Sequence, residues 1–306
     1  MQINEKQMSH TIIPDIHADF SRLEWSMKQT RSGNQIIFLG DLIDAGKNVK
    51  SPADLQVLQY VRELIDRGKA LSILGNHELN AILFHRNYKI TGKPLRSHSP
   101  NNLKQHNSFI FEFGIQTKAA KYWTEWMLET VPLWIEFDGF RAVHACWTQS
   151  DIDLIKERRP TGHLKQEDLE EVALKESPFA KAVERLVSGP EAKLPDPYFF
   201  NDNNGKARTE IRLSWWNSSA ETWRDIALSV PNLDQLPDQK LEGDLLGNIY
   251  PQNAKPVFVG HYKMKGKPHL QTSKATSLDF PAIPCVYNWQ GENDLKHDNL
   301  KIQTQD

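Results

Sequence analysis

The sequence predicts an α/β protein whose core is a largely parallel β-sheet. Short apolar segments at 10–13, 35–39 and 70–74 alternate with segments whose apolar residues recur at helical spacing. Each of the three apolar segments runs directly into a cluster of polar residues, as strands do where an open sheet forms a ligand crevice. Strands that alternate with helices are typical of parallel sheets joined by right-handed crossovers.

The first helix lies between the first two strands. Residues 21–30 carry Leu23 and Met27 one helical turn apart, and Gly33-Asn34 ends the helical pattern. Residues 35–39, with the sequence QIIFL, are apolar enough to form a buried strand. This part of the chain therefore predicts a strand, a helix and a second strand.

A second helix is predicted to begin at Ser51. Serine can cap a helix, Pro52 suits the first helical position, and the acidic Asp54 follows three residues after the cap. The apolar stripe of this helix consists of Leu55, Leu58, Val61, Leu64 and Ile65. Gly68 marks the end of the helix, and the third strand at 70–74 follows directly.

The middle of the chain is predicted to be helical and to end in a β-hairpin. Residues 80–129 have a mostly helical pattern, apart from a polar interruption at 86–103. Residues 133–137 and 141–146 have strand patterns, and Asp138-Gly139 between them favours a tight hairpin turn.

The segment from about 150 to 250 is interpreted as a lid-like insertion in a single domain that spans residues 1–306. It combines a charged helical stretch at 164–187 with several prolines and a loop sequence at 201–205. A composition of this kind is typical of an irregular excursion from the main sheet.

Apolar strand patterns return after this insertion. Residues 255–259 form a short apolar run, and closing strands are predicted at 276–280 and 285–289. The tail from Gly291 is polar, and we expect it to fray.

The composition is that of an ordinary globular protein. The 306 residues are 39% hydrophobic and 25% charged, and the formal net charge of −2 argues against a nucleic-acid partner. The first ten residues lack the apolar core of a secretory signal, and no apolar run is long enough to span a bilayer. Cys146 and Cys285 lie in apolar surroundings, so we expect buried free thiols and a cytoplasmic location.

Polar residues able to bind a metal follow, or lie in, five of the predicted strands. They are Asp15 and His17, Asp41 and Asp44, Asn76 and His77, His144, and His261. Carboxylate, imidazole and amide oxygen suit Mn, Fe or Zn, and the absence of thiolates excludes a cysteine-rich zinc site. On an extended segment, Asp15 and His17 would point to one face, and Asp41 could bridge two ions with its two oxygens. The pattern predicts a dinuclear metal site.

These motifs resemble those of the calcineurin-like metallophosphoesterases, in the branch of the PPP-type serine/threonine phosphatases. The matching motifs are Asp15-x-His17, Gly40-Asp41-x-x-Asp44, Gly75-Asn76-His77-Glu78, the strand that contains His144, and Gly260-His261. The regions around them cover residues 10–147 and 255–290. The resemblance implies a four-layer αββα sandwich in which two central mixed β-sheets lie between layers of helices.

The resemblance also implies two metal ions as cofactors, for which Mn is expected and Fe or Zn are alternatives. The first ion would be held by Asp15, His17 and Asp41. The second would be held by Asp41, Asn76, His144 and His261. Lys263 occupies the position of a further histidine found in some members of the family, so water would complete the first site.

A mechanism follows for the hydrolysis of a phosphate ester or anhydride. Two cations make hydroxide available near neutral pH and neutralise the phosphate oxygens during attack. His77, next to a ligand but not at a ligand position, is the candidate general acid for the leaving group. Asp44 would orient His77, and Glu78 is expected to hold the loop by hydrogen bonds.

One departure from the family pattern concerns the substrate. The protein phosphatases have Arg-Gly after Gly-Asp-x-x-Asp, and that arginine binds the substrate phosphate, whereas this chain has Ala45-Gly46. Arg96 and Arg212 are the candidate replacements. The substrate stays open between a phosphoprotein, a nucleotide and a dinucleoside polyphosphate. The alternative is a catalytically weak phosphate-binding or scaffold protein on the same fold; a nuclease is disfavoured by the charge balance.

Overall fold

The structure is a computed structural model that describes residues 9–202, 205–241, 245 and 249–304. The strands in these ranges are β1 (His10–Ile13), β2 (Gln35–Phe38), β3 (Ala70–Ser72), β4 (Trp134–Glu136), β5 (Arg141–Val143), β6 (Glu191–Lys193), β7 (Phe200–Asn201), β8 (Ala207–Arg208), β9 (Glu210–Leu213), β10 (Ala227–Leu228), β11 (Val257–Val259), β12 (Ala275–Ser277), β13 (Cys285–Trp289) and β14 (Leu300–Ile302).

The helices connect these strands and cover their sheets. They are α1 (Phe20–Lys28), α2 (Asp54–Asp66), α3 (Asn76–Phe84), α4 (Pro100–Gln105), α5 (Asn107–Phe113), α6 (Lys118–Thr130), α7 (Gln149–Arg158), α8 (Leu169–Leu174), α9 (Pro178–Ser188) and α10 (Trp223–Ile226). Short 3-10 turns lie at Gln166–Asp168, Leu233–Gln235 and His297–Asn299.

Two mixed sheets form the centre of the fold. The first has the strand order β14-β13-β1-β2-β3, in which β1, β2 and β3 are parallel and β13 is antiparallel to β1. The second has the order β12-β11-β5-β4, with β12, β11 and β5 parallel and β4 antiparallel. The predicted strands and the predicted hairpin of β4 and β5 are confirmed.

The two sheets pack face to face. This packing is visible in the strands, whose alternate residues belong to different hydrophobic clusters. Ile12 and Ile37 of the first sheet share one buried cluster with Phe258 of the second sheet. Their chain neighbours Ile13 and Phe38 belong to a second cluster, which includes residues of the surrounding helices. Since successive side chains of a strand point to opposite faces, the first cluster fills the space between the sheets. The four-layer sandwich with two central mixed sheets is confirmed.

The segment at 150–250 has two parts that pack differently. Helices α7, α8 and α9 contribute to the same large cluster as β5 and β11, and therefore cover the second sheet. The later part forms a sheet of order β10-β9-β6 and a small hairpin of β7 and β8. It has a hydrophobic cluster of its own, formed by Ala192, Leu194, Phe200, Ile211, Leu213, Ala220, Trp223, Ile226, Leu236 and Leu241.

Two expected boundaries are wrong. The second helix begins at Asp54 and not at Pro52, because its N-cap is Ala53 and the Asp54 carboxylate accepts the N–H of Asp44 at 2.9 Å. The expected frayed tail instead contains β14, which pairs with β13 and buries Leu300. The apolar residues of β14 allow it to extend the sheet edge.

The expectation that both cysteines are buried free thiols is confirmed. Cys146 and Cys285 are buried free thiols, and burial raises the pKa of each to about 12. Among the described helices, each is too short or too polar to cross a bilayer.

The space between the two sheets can be tested with one buried aromatic residue. Phe258 is fully buried there, so Phe258→Ala is expected to lower the free energy of unfolding by about 3–5 kcal/mol. Phe111 is 89% exposed and serves as the control, because Phe111→Ala is expected to change the free energy by about 0.5 kcal/mol or less. Denaturant unfolding of both variants measures the difference. Equal effects would contradict the face-to-face packing.

Candidate active site

The loops that follow β1 and β2 carry the first site residues and are joined through their backbones. The N–H groups of His17 and Ala18 donate to the carbonyls of Asp41 and Leu42, each at 2.8 Å. Because β1 and β2 are parallel neighbours, their carboxyl ends lie at the same edge of the sheet. The sheet therefore brings Asp15 and His17 next to Asp41.

Several site residues have left-handed backbone conformations. The φ angles are 50° at His17, 50° at Asp41, 64° at Asp44 and 70° at His261. Residues other than glycine rarely adopt such angles, and those that do concentrate at functional sites. The expectation that Asp15 and His17 lie on an extended segment is therefore wrong, because the chain turns sharply at His17. The turn still leaves His17 Nε2 3.9 Å from Asp15 Oδ2.

Two glycines allow the motifs to approach closely. A Cβ on Gly75 would overlap the carboxylate and the backbone nitrogen of Asp41, and a Cβ on Gly260 would overlap the carboxylate of Asp15. These positions therefore exclude side chains so that the backbone of one motif can contact the carboxylate of another.

Glu78 holds the loops around Asp41 in place. Its Oε2 accepts the N–H groups of Asp41 at 2.8 Å and Gly75 at 3.1 Å. Its Oε1 accepts those of Leu42 at 2.8 Å and Ile43 at 3.4 Å. Burial and the charge of Asp41 raise the pKa of this carboxyl to about 7. The expected loop-holding role of Glu78 is confirmed.

One group of possible ligands surrounds His17. His17 Nε2 lies 3.9 Å from Asp41 Oδ2, and His77 Nε2 lies at the same distance from that oxygen. His17 Nδ1 is 3.3 Å from the carbonyl of Ile43, a contact that leaves the proton on Nδ1 and the lone pair on Nε2. Burial, followed by the charge of His77, lowers the pKa of His17 to about 4.

A second group of possible ligands surrounds Asn76. Its Oδ1 lies 2.8 Å from His261 Nδ1 and 3.1 Å from His144 Nε2. His144 Nε2 is also 3.3 Å from Asp41 Oδ1, so Asp41 belongs to both groups. His144 Nδ1 donates to the carbonyl of Leu39 at 2.6 Å, which directs Nε2 toward the other ligands.

The charge and polarity of these groups suit cations. His17 Nε2 and His261 Nε2 are buried and find no hydrogen-bond partner among the described residues. Burial lowers the pKa of His144, but the charges of Asp41 and Asp15 outweigh burial and raise it to about 10. The negative potential that favours this proton also attracts metal ions. The residues present therefore fit metal ions.

His77 and Asp44 form a buried pair beside both groups. His77 Nδ1 lies 2.7 Å from Asp44 Oδ2. Burial lowers the pKa of His77, but the charges of Asp41 and Asp44 raise it to about 9. Burial raises the pKa of Asp44, but His106 and His77 lower it to about 2. The contact expected between His77 and Asp44 is thus present.

Three buried residues near the site were not predicted from the sequence. His106 Nδ1 contacts Asp44 Oδ1 at 2.6 Å, and His106 Nε2 lies 3.0 Å from His85 Nε2. Asp279 accepts the N–H of Lys263 at 2.9 Å. The pKa of Asp15 is raised first by the burial of Asp15 and second by the charge of Asp279. His85 and His106 belong to no strand-end motif, and their only signal was the density of histidines between 85 and 106. Asp279 follows the end of β12 by two residues, but it lay inside the strand predicted at 276–280.

Neither candidate arginine belongs to the two groups of possible metal ligands. Arg96 donates to Gln105 Oε1 at 2.7 Å, and Gln105 Nε2 lies 3.5 Å from His77 Nε2. Arg96 and Asn76 line one cavity of about 390 Å³. Arg212 lines a cavity of about 520 Å³ and lies 3.5 Å from Glu191.

The two-sheet fold and the two groups of possible metal ligands are features of the class of metallophosphoesterases. The sequence model of the calcineurin-like phosphoesterases matches residues 8–261. The chain belongs to this family, and it is a hydrolase that acts on phosphate esters. Comparison with curated proteins gives no match.

Solved structures with a similar fold include two phosphatases. A protein serine/threonine phosphatase from Saccharomyces cerevisiae is 12% identical, with a TM-score of 0.49, over 98% of this chain and 80% of that chain. A cold-active protein-tyrosine phosphatase from Shewanella sp. is 14% identical, with a TM-score of 0.48, over 93% of this chain and 79% of that chain.

The role of Glu78 can be tested by removing one acceptor oxygen. Each oxygen of Glu78 accepts two backbone N–H groups. Glu78→Gln therefore places an amide NH₂ against two backbone donors in either orientation of the amide. An unsatisfied buried donor costs about 1–3 kcal/mol, so the free energy of unfolding is expected to fall by about 2–5 kcal/mol. Glu63→Gln is the control, because Glu63 is more than half exposed and its ion pair with Arg67 contributes about 0.5 kcal/mol at most. A loss as small as that of the control would contradict this role.

Proposed function

We propose that this chain hydrolyses a phosphate ester or anhydride at a centre of two metal ions. The observation that carries the proposal is the position of Asp41, whose carboxylate belongs to two buried groups of ligands at once. Candidate substrates are a phosphoprotein, a nucleotide and a dinucleoside polyphosphate. All three present the negative charge that a cationic centre binds.

We assign Asp15, His17 and Asp41 to the first ion. Asp41, Asn76, His144 and His261 are assigned to the second ion. Oxygen and imidazole ligands of this kind accept Mn, our first choice, as well as Fe and Zn. Cations bound by these residues supply Lewis acidity, which activates water near neutral pH and neutralises phosphate oxygens.

His77 is close enough to Asp41 to bind a metal, but its hydrogen bond favours the role of general acid. The Nδ1 atoms of His17 and His144 contact backbone carbonyls, which suit a neutral imidazole. His77 Nδ1 instead contacts the carboxylate of Asp44, whose charge stabilises the protonated imidazolium. His77 can therefore hold a proton and deliver it to the leaving oxygen, while Asp44 keeps its ring oriented.

Arg96 and Arg212 are proposed to bind the substrate in place of the arginine that is absent at Ala45. Gln105 links Arg96 to the neighbourhood of His77, and the cavity of Arg96 also contains Asn76. The pKa of His261 is lowered mainly by burial, then by the charge of His144 and then by the charge of Arg212. Because Arg212 belongs to β9, we propose that the lid-like insertion brings this cation toward the substrate.

The alternative is a phosphate-binding protein with weak turnover. The observation in its favour is Ala45, which contributes no charge where the protein phosphatases of the family have an arginine. Calorimetric titration with phosphate, compared with turnover of the same preparation, distinguishes the two functions. Binding without hydrolysis of a phosphopeptide, a phosphomonoester, a phosphodiester and diadenosine tetraphosphate would favour the alternative.

The role of His77 can be tested with two leaving groups. His77→Ala is expected to lower kcat for phenyl phosphate by about 10²–10⁴-fold, because a poor leaving group needs the proton. The loss for 4-nitrophenyl phosphate should be smaller, since its phenolate leaves without protonation. Steady-state kinetics in excess Mn measure both values.

The metal content of His77→Ala shows whether His77 is a general acid or a metal ligand. His77→Ala should keep the metal content of the wild type, whereas a ligand variant should lose metal. His297→Ala, at an exposed position, serves as the control for changes in histidine number. Equal losses on the two esters, or loss of metal from His77→Ala, would rule out the proposed role.

Metal binding itself can be tested through stability. Mn added to chelator-treated protein is expected to raise the melting temperature, because a ligand at about 100 times its Kd stabilises the native state by about 2.7 kcal/mol. His144→Ala should lose most of this rise. Thermal melting and elemental analysis measure the two effects. A melting temperature that does not respond to Mn, Fe or Zn would contradict the metal centre.

A further inference from the structure

Asp44 has a second imidazole partner for which the proposed reaction gives no role. Its Oδ2 contacts His77, and its Oδ1 contacts His106 Nδ1 at 2.6 Å. His106 Nε2 lies 3.0 Å from His85 Nε2, and His85 Nδ1 accepts the backbone N–H of Gln116 at 2.9 Å. An unbroken series of hydrogen bonds thus connects a backbone N–H to His77.

The backbone N–H of Gln116 determines where each proton in this series lies. A backbone N–H can only donate, so His85 Nδ1 has the lone pair and His85 Nε2 has the proton. His85 Nε2 therefore donates to His106 Nε2. His106 must then carry its proton on Nδ1, from which it donates to Asp44. His106 is consequently neutral and in the Nδ1–H form.

The direction of these bonds determines what Asp44 can do. Every bond in the series donates toward Asp44, so its carboxylate remains an acceptor with its negative charge. The same carboxylate accepts the Nδ1–H of His77, which turns His77 Nε2 toward Asp41, where the two atoms lie 3.9 Å apart. His106 thereby prevents Asp44 from rotating away from His77.

The surroundings of the two histidines keep this arrangement rigid. Both side chains are buried, with exposures of 0% for His85 and 1% for His106. The His106 ring stacks on Phe109 with an interplanar angle of 17° and a centroid distance of 4.6 Å, and Phe84 forms T-shaped contacts with both imidazoles. Gln116 has a left-handed φ of 54°, a conformation that a glutamine adopts only when its surroundings require it.

We propose that His106 and His85 are positioning residues that fix the orientation of Asp44 and, through Asp44, the proton-donating geometry of His77. This inference rests on the proposed function, in which His77 protonates the leaving group. Neither histidine reaches the substrate, so their effect is expected on kcat and not on KM.

The kinetic test compares two substitutions at position 106. His106→Phe keeps a ring that can stack on Phe109 but removes the donor to Asp44, and kcat for phenyl phosphate is expected to fall roughly 10–100-fold with KM unchanged. His106→Asn keeps an N–H close to the position of Nδ1 and should restore kcat to within about threefold of the wild type. His98→Phe is the matched control, because His98 stacks on Phe84 but lies outside the series.

The spectroscopic test needs no turnover and uses the wild-type protein. Long-range ¹H–¹⁵N correlation spectra of the imidazoles should show His106 in the Nδ1–H form and His85 in the Nε2–H form. A His106 that is charged or in the Nε2–H form would overturn the proposal. So would His106→Phe with the kcat of the wild type. If the wild type hydrolyses no phosphate ester, the proposed function fails instead, and the spectra still test the protonation of the series.

Discussion

A buried carboxylate that binds four backbone N–H groups is the interaction on which the rest of the site depends. Glu78 lies in the first turn of α3, and its two oxygens bind donors from residues 41–43 and from Gly75. Asp41 is thereby fixed between the loops that follow β2 and β3. The left-handed conformation of Asp41 needs such support, because this backbone region is strained for any residue other than glycine. Two groups of ligands share this one aspartate, so the position of Glu78 determines the geometry of both.

The site also requires acids and imidazoles to be buried close together. Burial of each charge is costly unless an opposite charge or a hydrogen bond compensates it. The histidines at the site are therefore oriented by acceptors of different kinds: backbone carbonyls for His17 and His144, and a carboxylate for His77. In the proposed function, this difference separates the residues that hold a cation from the residue that holds a proton. The rigid sheets behind the loops keep these residues a few ångströms apart.

The sequence was most informative where the relevant interactions are local. Apolar runs followed by polar residues predicted the strands and the positions of the site residues, because strand ends in a parallel sheet meet at one edge. The start of α2 was misjudged because the Asp54 carboxylate contacts Asp44, a partner outside the helix. His85, His106 and Asp279 escaped prediction because their partners are distant in sequence and follow no periodic pattern. The strand β14 was missed because its two apolar residues, Leu300 and Ile302, lie in an otherwise polar tail.

The strand order has a consequence for the folding of the newly made chain. β1, which leads to Asp15 and His17, pairs on one side with β2 and on the other with β13, and Thr11 donates to the side chain of Asn288 at 2.7 Å. The strand before His144 likewise needs β11, close to His261, as its neighbour. Contacts so distant in sequence form slowly. During synthesis on the ribosome, β1 must therefore wait with an exposed edge until β13, far later in the chain, has been made. Such an edge can pair with other chains, so chaperones that cover exposed strands are expected to matter for the yield of this protein.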